Sequence, residues 1–117
     1  MSQTIAGKTL LLVEDDTLVA ATVEDILLYA EAAHVQVASS VDQALQVLAE
    51  KRFDAAIVDI DLNGQASWPV AAELKRRQIP YLTVSGYRDM VQHELIGALL
   101  PKPYSMNQLL SAVSALL

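Results

Sequence analysis

Carboxylates follow two of the short apolar stretches of this chain, directly where each stretch ends. The residues are Glu14, Asp15 and Asp16 after the first stretch, and Asp59 and Asp61 at the end of the third. Short, continuous apolar runs are typical of strands that are buried on both faces of a parallel sheet. Because ligands of such sheets bind beyond the carboxyl ends of the strands, we expect these carboxylates to share one pocket.

Crowded carboxylates repel one another, and one of them takes up a proton unless a cation neutralises the group. Mg²⁺ suits a site of few carboxylates, several waters and a phosphate oxygen. The sequence therefore predicts Mg²⁺ as the cofactor at this edge of the sheet. Asp16 has an alternative role, since Asp is a favourable N-cap and a helical pattern begins at Thr17.

Asp59 is the candidate nucleophile, because it ends the apolar sequence Ala-Ile-Val with its side chain at the strand exit. A carboxylate in that position can attack phosphorus and form an acyl phosphate. Mg²⁺ would bridge the nucleophile and the donor and offset the developing charge. The alternative is a solvated loop aspartate.

Two further polar residues stand at predicted strand exits. Lys102 lies between two prolines that stiffen its loop, and it could pair with a phosphoryl oxygen; the Lys102-Pro103 bond is a candidate cis peptide. Ser85 could donate a hydrogen bond to a phosphoryl oxygen. Thr83 competes with it, because alternate strand residues share a face, and Ser85 is favoured as the residue nearer the exit and next to Gly86.

These residues need a scaffold in which strands alternate with helices. The apolar patterns predict strands at 9–13, 35–37, 54–59, 81–84 and 98–100, and helices at 17–33, 41–48, 69–77, 88–94 and 106–117. Asn63-Gly64 predicts a turn. The alternation indicates an α/β fold with a doubly wound parallel sheet that helices cover on both faces.

Composition narrows the function further. The 117 residues fit one domain, 1–117, and the net charge of -6 argues against nucleic acid as a partner. The absence of cysteine excludes disulfides, zinc–thiolate sites and thiol catalysis. No signal peptide and no apolar stretch of about 18 residues is found, so we expect no membrane contact and a cytoplasmic location.

Four segments carry a resemblance to a known family. They are LLLVEDD (10–16), FDAAIVDIDLNG (53–64), TVSGY (83–87) and LPKPY (100–104). In this order they resemble the bacterial two-component response-regulator receiver domain over essentially the whole chain. The resemblance implies the flavodoxin-like receiver fold, in which a five-stranded parallel sheet has the strand order 2-1-3-4-5.

The resemblance also implies a metal site and its residues. Glu14 and Asp15 match the family's acidic pair, and Asp59 matches its phosphorylated aspartate. Asp61 occupies the position whose backbone carbonyl helps to hold Mg²⁺.

The positions implied for the switch match less completely. Lys102 matches the family's lysine, and Ser85 matches its Ser/Thr switch position. The aromatic residue that usually stands three positions before the lysine is replaced by Leu99, and Tyr87 could substitute for it. The interval between Ser85 and Lys102 is short for the family, so we expect a short or irregular fourth helix.

The function implied is that of a phospho-acceptor signalling domain and not a true enzyme. Asp59 would take phosphate from a sensor histidine kinase or phosphotransfer protein and lose it slowly. The domain would switch a protein-binding face for an unknown downstream protein or act as a phosphate sink, as a monomer or weak homodimer. The segment PYLTVSGY (80–87) resembles a motif of small receivers that partner HWE-type kinases.

Two other functions remain open at this point. One is a small phosphatase similar to haloacid dehalogenases, because Asp59 and Asp61 have their DxD spacing. Those enzymes normally carry a cap and further downstream carboxylates, and they would leave Glu14 and Asp15 unexplained. The other is a phosphorylation-independent pseudo-receiver, which Leu99 favours and the complete set of Asp, Lys and Ser disfavours.

Overall fold

The computed structural model describes residues 4–86, 95 and 97–117. Within them, the strands are β1 (Thr9–Val13), β2 (His34–Ala38), β3 (Ala55–Asp59), β4 (Asp61–Leu62), β5 (Gln65–Ala66), β6 (Tyr81–Ser85) and β7 (Ala98–Pro101). The helices are α1 (Thr17–Tyr29), α2 (Val41–Glu50), α3 (Trp68–Arg76) and α4 (Met106–Leu116). The helix predicted at 88–94, and with it the expected short or irregular fourth helix, lies outside the described residues. No helix in the described part of the chain is long and apolar enough to cross a bilayer.

Five parallel strands form the central sheet in the order β2-β1-β3-β6-β7. Counted along the chain without the two-residue strands, this is the predicted order 2-1-3-4-5, so the doubly wound α/β prediction is confirmed. The strand order reverses direction between β1 and β3. Because these two strands are parallel neighbours, their carboxyl ends lie side by side, and such folds bind their ligands at this position.

The core has two layers because successive residues of a strand point to opposite faces. Leu10 and Leu12 pack with the apolar sides of α1 and α4, whereas Leu11 and Val13 pack with those of α2 and α3. All four are buried. Burial on both faces explains why β1 reads as a continuous apolar run and not as an alternating one.

The first helix ends earlier than predicted, at Tyr29 and not at residue 33. Glu31 adopts a left-handed backbone conformation with φ of 74°. Its N–H donates to the carbonyl of Leu28, and the N–H of Ala32 donates to that of Leu27. This pair of bonds is the Schellman arrangement that closes a helix. Glycine usually occupies the left-handed position of this arrangement, whereas this chain has Glu31 at that position.

The turn predicted at Asn63-Gly64 is present and closes a small hairpin between β4 and β5. Both turn residues have positive φ, at 57° and 87°. A two-residue loop of this kind joins antiparallel strands whose twist it matches. The strands were not predicted, because two residues carry no readable periodicity.

Candidate functional site

A cavity of about 550 Å³ lies at the carboxyl edge of the sheet. It is lined by Glu14, Asp15, Asp16, Val19, Asp59, Asp61, Asn63, Gly64, Ser85, Gly86 and Lys102. These residues come from the ends of β1, β3 and β6, from the start of α1, from the β4–β5 hairpin and from the loop after β7. The structure thus brings together the acidic, hydroxyl and lysine side chains that the sequence analysis singled out.

The acidic residues after β1 have different local roles. Glu14 is buried, and its Oε1 accepts a hydrogen bond from the N–H of Asp16 at 3.1 Å. Asp16 is the N-cap of α1, because its Oδ1 accepts from the N–H groups of Leu18 and Val19. The structure therefore shows Asp16 in its alternative role, as the N-cap of α1. Glu14 and Asp15 are left as the acidic pair that faces β3.

Asp59 is the last residue of β3 and is only 6% exposed. Its Oδ2 lies 2.7 Å from Lys102 Nζ, and its Oδ1 accepts from the N–H of Asp61 at 3.2 Å. A buried carboxylate needs such partners, because an unpaired charge away from water is costly. Both oxygens of Asp59 are thus fixed in position at the floor of the cavity.

Three carboxylates converge in a way that fits a hard divalent cation. Glu14, Asp15 and Asp59 each offer an oxygen, and these oxygens lie within 4.8 Å of one another. Oxygen donors of this type and number, with room left for water, are what Mg²⁺ prefers. The side chain of Asp61 is not among them, and its Oδ1 accepts from the N–H of Gly64 at 3.1 Å. The role expected for the Asp61 carbonyl stays a prediction.

The electrostatics of the cavity reflect this crowding. Burial raises the pKa of Glu14 to about 7, and the neighbouring carboxylate of Asp59 adds to the rise. The N–H of Asp16 and the charge of Lys102 lower this pKa in part. Burial alone would lower the pKa of Lys102, but its hydrogen bond to Asp59 and the charges of Asp59 and Glu14 raise it above its usual value. The Lys102 ammonium group thus offsets part of the negative charge of Asp59 and Glu14.

Ser85, and not Thr83, lines the cavity. Ser85 is the last residue of β6, and its carbonyl accepts from the N–H of Lys102 at 2.8 Å. The hydroxyl of Thr83 is buried deeper along the strand and has no hydrogen-bond partner among the described residues. The backbone bond ties the loop that carries Lys102 to the strand that carries Ser85.

The loop that carries Lys102 contains the predicted cis peptide, at the Lys102-Pro103 bond. Leu99, at the position expected to hold an aromatic switch residue, is half-buried in β7 beside Thr83 in the register. Tyr87, its suggested substitute, lies outside the described residues. Leu99 is absent from the cavity lining.

Sequence reasoning missed three contributors to the cavity, namely Val19, Asn63 and Gly64. The Asn-Gly pair was visible as a turn signal, but nothing in the sequence shows that the turn folds back beside Asp59. Val19 reads as one more apolar residue of a helical stripe. Its place at the rim follows from the helix start that Asp16 fixes.

The family model described as the response regulator receiver domain matches residues 10–114. No curated protein sequence matches the chain at a significant level. The matched range contains the elements from β1 to nearly the end of α4.

Solved structures with the same fold include three of particular relevance. SdrG from Sphingomonas melonis is 33% identical with a TM-score of 0.81, over 94% of this chain and 96% of that one. The receiver domain of PhyR from Erythrobacter litoralis is 20% identical with a TM-score of 0.77, over 94% and 89%. The receiver domain of the sensor histidine kinase PA1611 from Pseudomonas aeruginosa, which has a magnesium ion in its active-site cleft, is 19% identical with a TM-score of 0.78, over 95% and 98%.

Proposed function

Because the chain belongs to the response regulator receiver domain family of two-component signalling, we propose that Asp59 is its phospho-acceptor and that Mg²⁺ is required for the transfer. The observation that carries this proposal is the position of the Asp59 carboxylate. It is buried at the end of β3, with Lys102 Nζ at 2.7 Å and with oxygens of Glu14 and Asp15 close by.

The chemistry follows from these neighbours. An oxygen of Asp59 attacks phosphorus, the new O–P bond forms, and the bond from phosphorus to the donor's histidine nitrogen breaks. The leaving imidazole keeps the electron pair and takes a proton from water. Glu14, Asp15 and Asp59 would hold the Mg²⁺, which would offset the negative charge of the phosphoryl oxygens. The carbonyl of Asp61 would complete the metal's protein ligands.

Lys102 and Ser85 are the groups that would respond to the new phosphoryl group. Lys102 can exchange Asp59 for a phosphoryl oxygen, and the Ser85 hydroxyl can donate to another. Because the N–H of Lys102 is bonded to the Ser85 carbonyl, the two movements are coupled. Phosphorylation would thereby shift the population towards a second arrangement of β6 and β7, which a partner protein reads.

The donor we propose is a sensor histidine kinase or phosphotransfer protein, with HWE-type kinases favoured by the segment at 80–87. We propose that the chain acts in the cytoplasm as one receiver domain, as a monomer or weak homodimer. The signal would pass to a downstream protein, or the domain would serve as a phosphate sink.

The experiment is intact-mass spectrometry and peptide mapping after incubation with acetyl phosphate, with and without Mg²⁺. Wild type should gain one phosphoryl group on Asp59 only when Mg²⁺ is present, and Asp59→Asn should gain none. Asp54→Asn is the matched control, because Asp54 accepts from the N–H of Thr9 at the far edge of the sheet. It should take up phosphate as wild type does.

Three outcomes would contradict the proposal. An adduct that persists in Asp59→Asn would place the acceptor elsewhere. No adduct in wild type, together with no Mg²⁺ binding by calorimetry, would leave the pseudo-receiver as the better function. Rapid turnover of small phosphate esters would favour the phosphatase alternative, which the use of the Asp61 carboxylate as a turn cap does not support.

A further inference from the structure

Basic side chains are concentrated at the edge of the sheet opposite the carboxylate cavity. Five of the eight Lys and Arg residues lie in two short segments, 51–52 and 75–77. The first follows α2 and precedes β3, and the second ends α3 and precedes β6. Since β3 and β6 are parallel neighbours, both segments lie at the same end of the sheet. We call the surface of Lys51, Arg52, Lys75, Arg76 and Arg77 the basic edge.

The helix dipole accounts for only part of this charge. Cations are favoured in the last turn of a helix, where Lys75 and Arg76 stand. Arg52 lies beyond the end of α2, a helix without basic residues in its last turn. Among the described residues, the side chains of Arg52 and Lys75 have neither a hydrogen bond nor an ion pair, whereas Arg76 and Arg77 share Glu73. The basic edge therefore carries uncompensated positive charge.

A second cavity, of about 460 Å³, opens within the basic edge. It is lined by Arg52, Phe53, Arg77, Gln78 and Ile79. Gln78 has a positive φ of 60°, which turns the chain so that Ile79 faces this space. Phe53 is buried and gives the cavity an apolar wall. The guanidinium groups of Arg52 and Arg77 thus stand beside the apolar side chains of Phe53 and Ile79 in one cavity.

We propose that the basic edge binds an acidic segment of a partner protein. Carboxylates of the segment would pair with Arg52 and Arg77, whose planar guanidinium groups match carboxylates in geometry. One apolar side chain of the segment would enter the cavity against Phe53 and Ile79. Charge complementarity supports this occupant, because the basic edge has five cationic side chains and those of Arg52 and Lys75 have no ion pair among the described residues.

Other anionic macromolecules fit the surface less well. A nucleic acid is held by many phosphate contacts, whereas the basic edge has five cations, two of which share Glu73. A membrane surface would need exposed apolar residues beside the cations. The large exposed apolar residues in the described part of the chain, Leu18, Leu28, Tyr29 and Met106, lie on α1 and α4, which cover the other face of the sheet.

The proposal stands apart from the phospho-acceptor function. Phe53 precedes β3 and Asp59 ends it, so roughly 20 Å of extended chain separates the two sites. A partner on the basic edge would leave the carboxylate cavity open to a phosphoryl donor. It would also contact the beginnings of β3 and β6, the strands whose ends carry Asp59 and Ser85. Failure of phosphorylation would therefore not remove this site.

The experiment titrates the ¹⁵N-labelled full chain with a synthetic peptide of glutamates around one central leucine, followed by amide chemical shifts. We expect shift changes confined to residues 51–54 and 75–79, and weaker binding as salt is added. The variant Arg52→Gln/Lys75→Gln should bind at least about fivefold more weakly. Its matched control is Asn107→Glu/Ser111→Glu, which makes the same change in net charge on exposed positions of α4 and should bind as wild type does.

A variant that should bind the peptide more tightly than wild type provides a second test. Glu73→Gln frees Arg76 and Arg77 from their shared carboxylate and should tighten peptide binding. The proposal is wrong if the amide shifts fall elsewhere, or if the control pair weakens binding as much as the double glutamine variant does. It is equally wrong if a single-stranded oligonucleotide or phosphatidylserine vesicles bind the basic edge more tightly than the peptide.

Discussion

Lys102 is the residue on which the charge of the carboxylate cavity depends. Its Nζ lies 2.7 Å from Asp59 and 3.9 Å from Glu14, both of which are buried. During phosphoryl transfer the same ammonium group can stabilise a phosphoryl oxygen, and preorganised donors of this kind are effective because they need no rearrangement of water. The same Lys102 charge therefore pairs with Asp59 before the transfer and can stabilise a phosphoryl oxygen during it.

We expect Lys102→Met to slow phosphoryl uptake at Asp59 by at least about tenfold, because it removes the donor and keeps the side-chain length. The measurement is the rate of mass gain with acetyl phosphate and Mg²⁺. Lys75→Met, which removes a charge at the far edge of the sheet, should leave the rate unchanged. An unchanged rate in Lys102→Met would show that the ammonium group plays no part in the transfer.

Thr83 differs from Lys102, because its polar group is buried without a contact, in the described part of the chain, that offsets the loss of water. Its hydroxyl has no partner among the described residues. Replacing an unsatisfied buried hydroxyl by a methyl group of the same shape removes a desolvation cost, so Thr83→Val should raise the free energy of unfolding by about 1 kcal/mol. Urea unfolding measures the change, and phosphoryl uptake should persist. A destabilised Thr83→Val would mean that the hydroxyl has a favourable role in the folded protein.

The convergence of the site residues was predictable from sequence, whereas their individual contacts were not. Glu14, Asp59, Ser85 and Lys102 each stand at the end of a readable strand or directly after it, and parallel strands end at one edge. The different roles of Asp15 and Asp16 depend on the two N-cap bonds that Asp16 accepts from Leu18 and Val19, which the residue types alone do not predict. The orientation of the Asp61 side chain depends on the β4–β5 hairpin, whose two-residue strands are too short to be predicted from a sequence pattern.

At the level of elements, helix starts were better predicted than helix ends. Ser40 and Gln43 have the spacing of a capping box at the predicted start of α2, and the Ser40 Oγ accepts from the N–H of Gln43. The reciprocal bond differs, since Oε1 of Gln43 accepts from Ser39. The end of α1 was placed too late because Glu31 replaces the glycine that usually closes a helix in the left-handed conformation.

The last turn of α3 predicts a pH dependence. Hydrogen bonds from Arg76, then Arg77, lower the pKa of Glu73 from 4.5 to about 2. A carboxylate with a lowered pKa in the folded state stabilises the protein above its unfolded pKa, and this contribution disappears as pH falls from about 4.5 towards 2. In Glu73→Gln the stability should therefore depend less steeply on pH within that window.

Urea midpoints between pH 5 and pH 2.5, roughly the window that linkage defines, measure this difference. Glu50→Gln is the matched control, because Glu50 ends α2 and has no ion pair among the described residues. It should keep the wild-type slope. Equal slopes in wild type and Glu73→Gln would show that these exposed pairs contribute nothing measurable.

For the whole molecule, the alternation of strand and helix patterns predicted a parallel sheet with helices on both faces, and the family resemblance implied its strand order. The two core layers follow from this arrangement. What the sequence left undecided is how strongly the layers depend on each other. The central sheet is common to both, because Leu10 and Leu12 face one layer and Leu11 and Val13 the other. A shared sheet predicts one cooperative unfolding transition for the chain.

A truncation in one layer, observed from the other, tests this cooperativity. Leu109 of α4 is fully buried in the layer with α1, and Leu109→Ala should cost about 2–5 kcal/mol. Trp68, the chain's single tryptophan, begins α3 over the opposite layer. If the layers unfold together, the urea midpoint from tryptophan fluorescence should fall as far as the midpoint from circular dichroism, and Ser111→Ala at an exposed position of α4 should move neither appreciably. A fluorescence midpoint that stays in place while the dichroism midpoint falls would mean that the two layers unfold separately. In that case Asp59 and Ser85 would be held mainly by the α2–α3 side of the sheet.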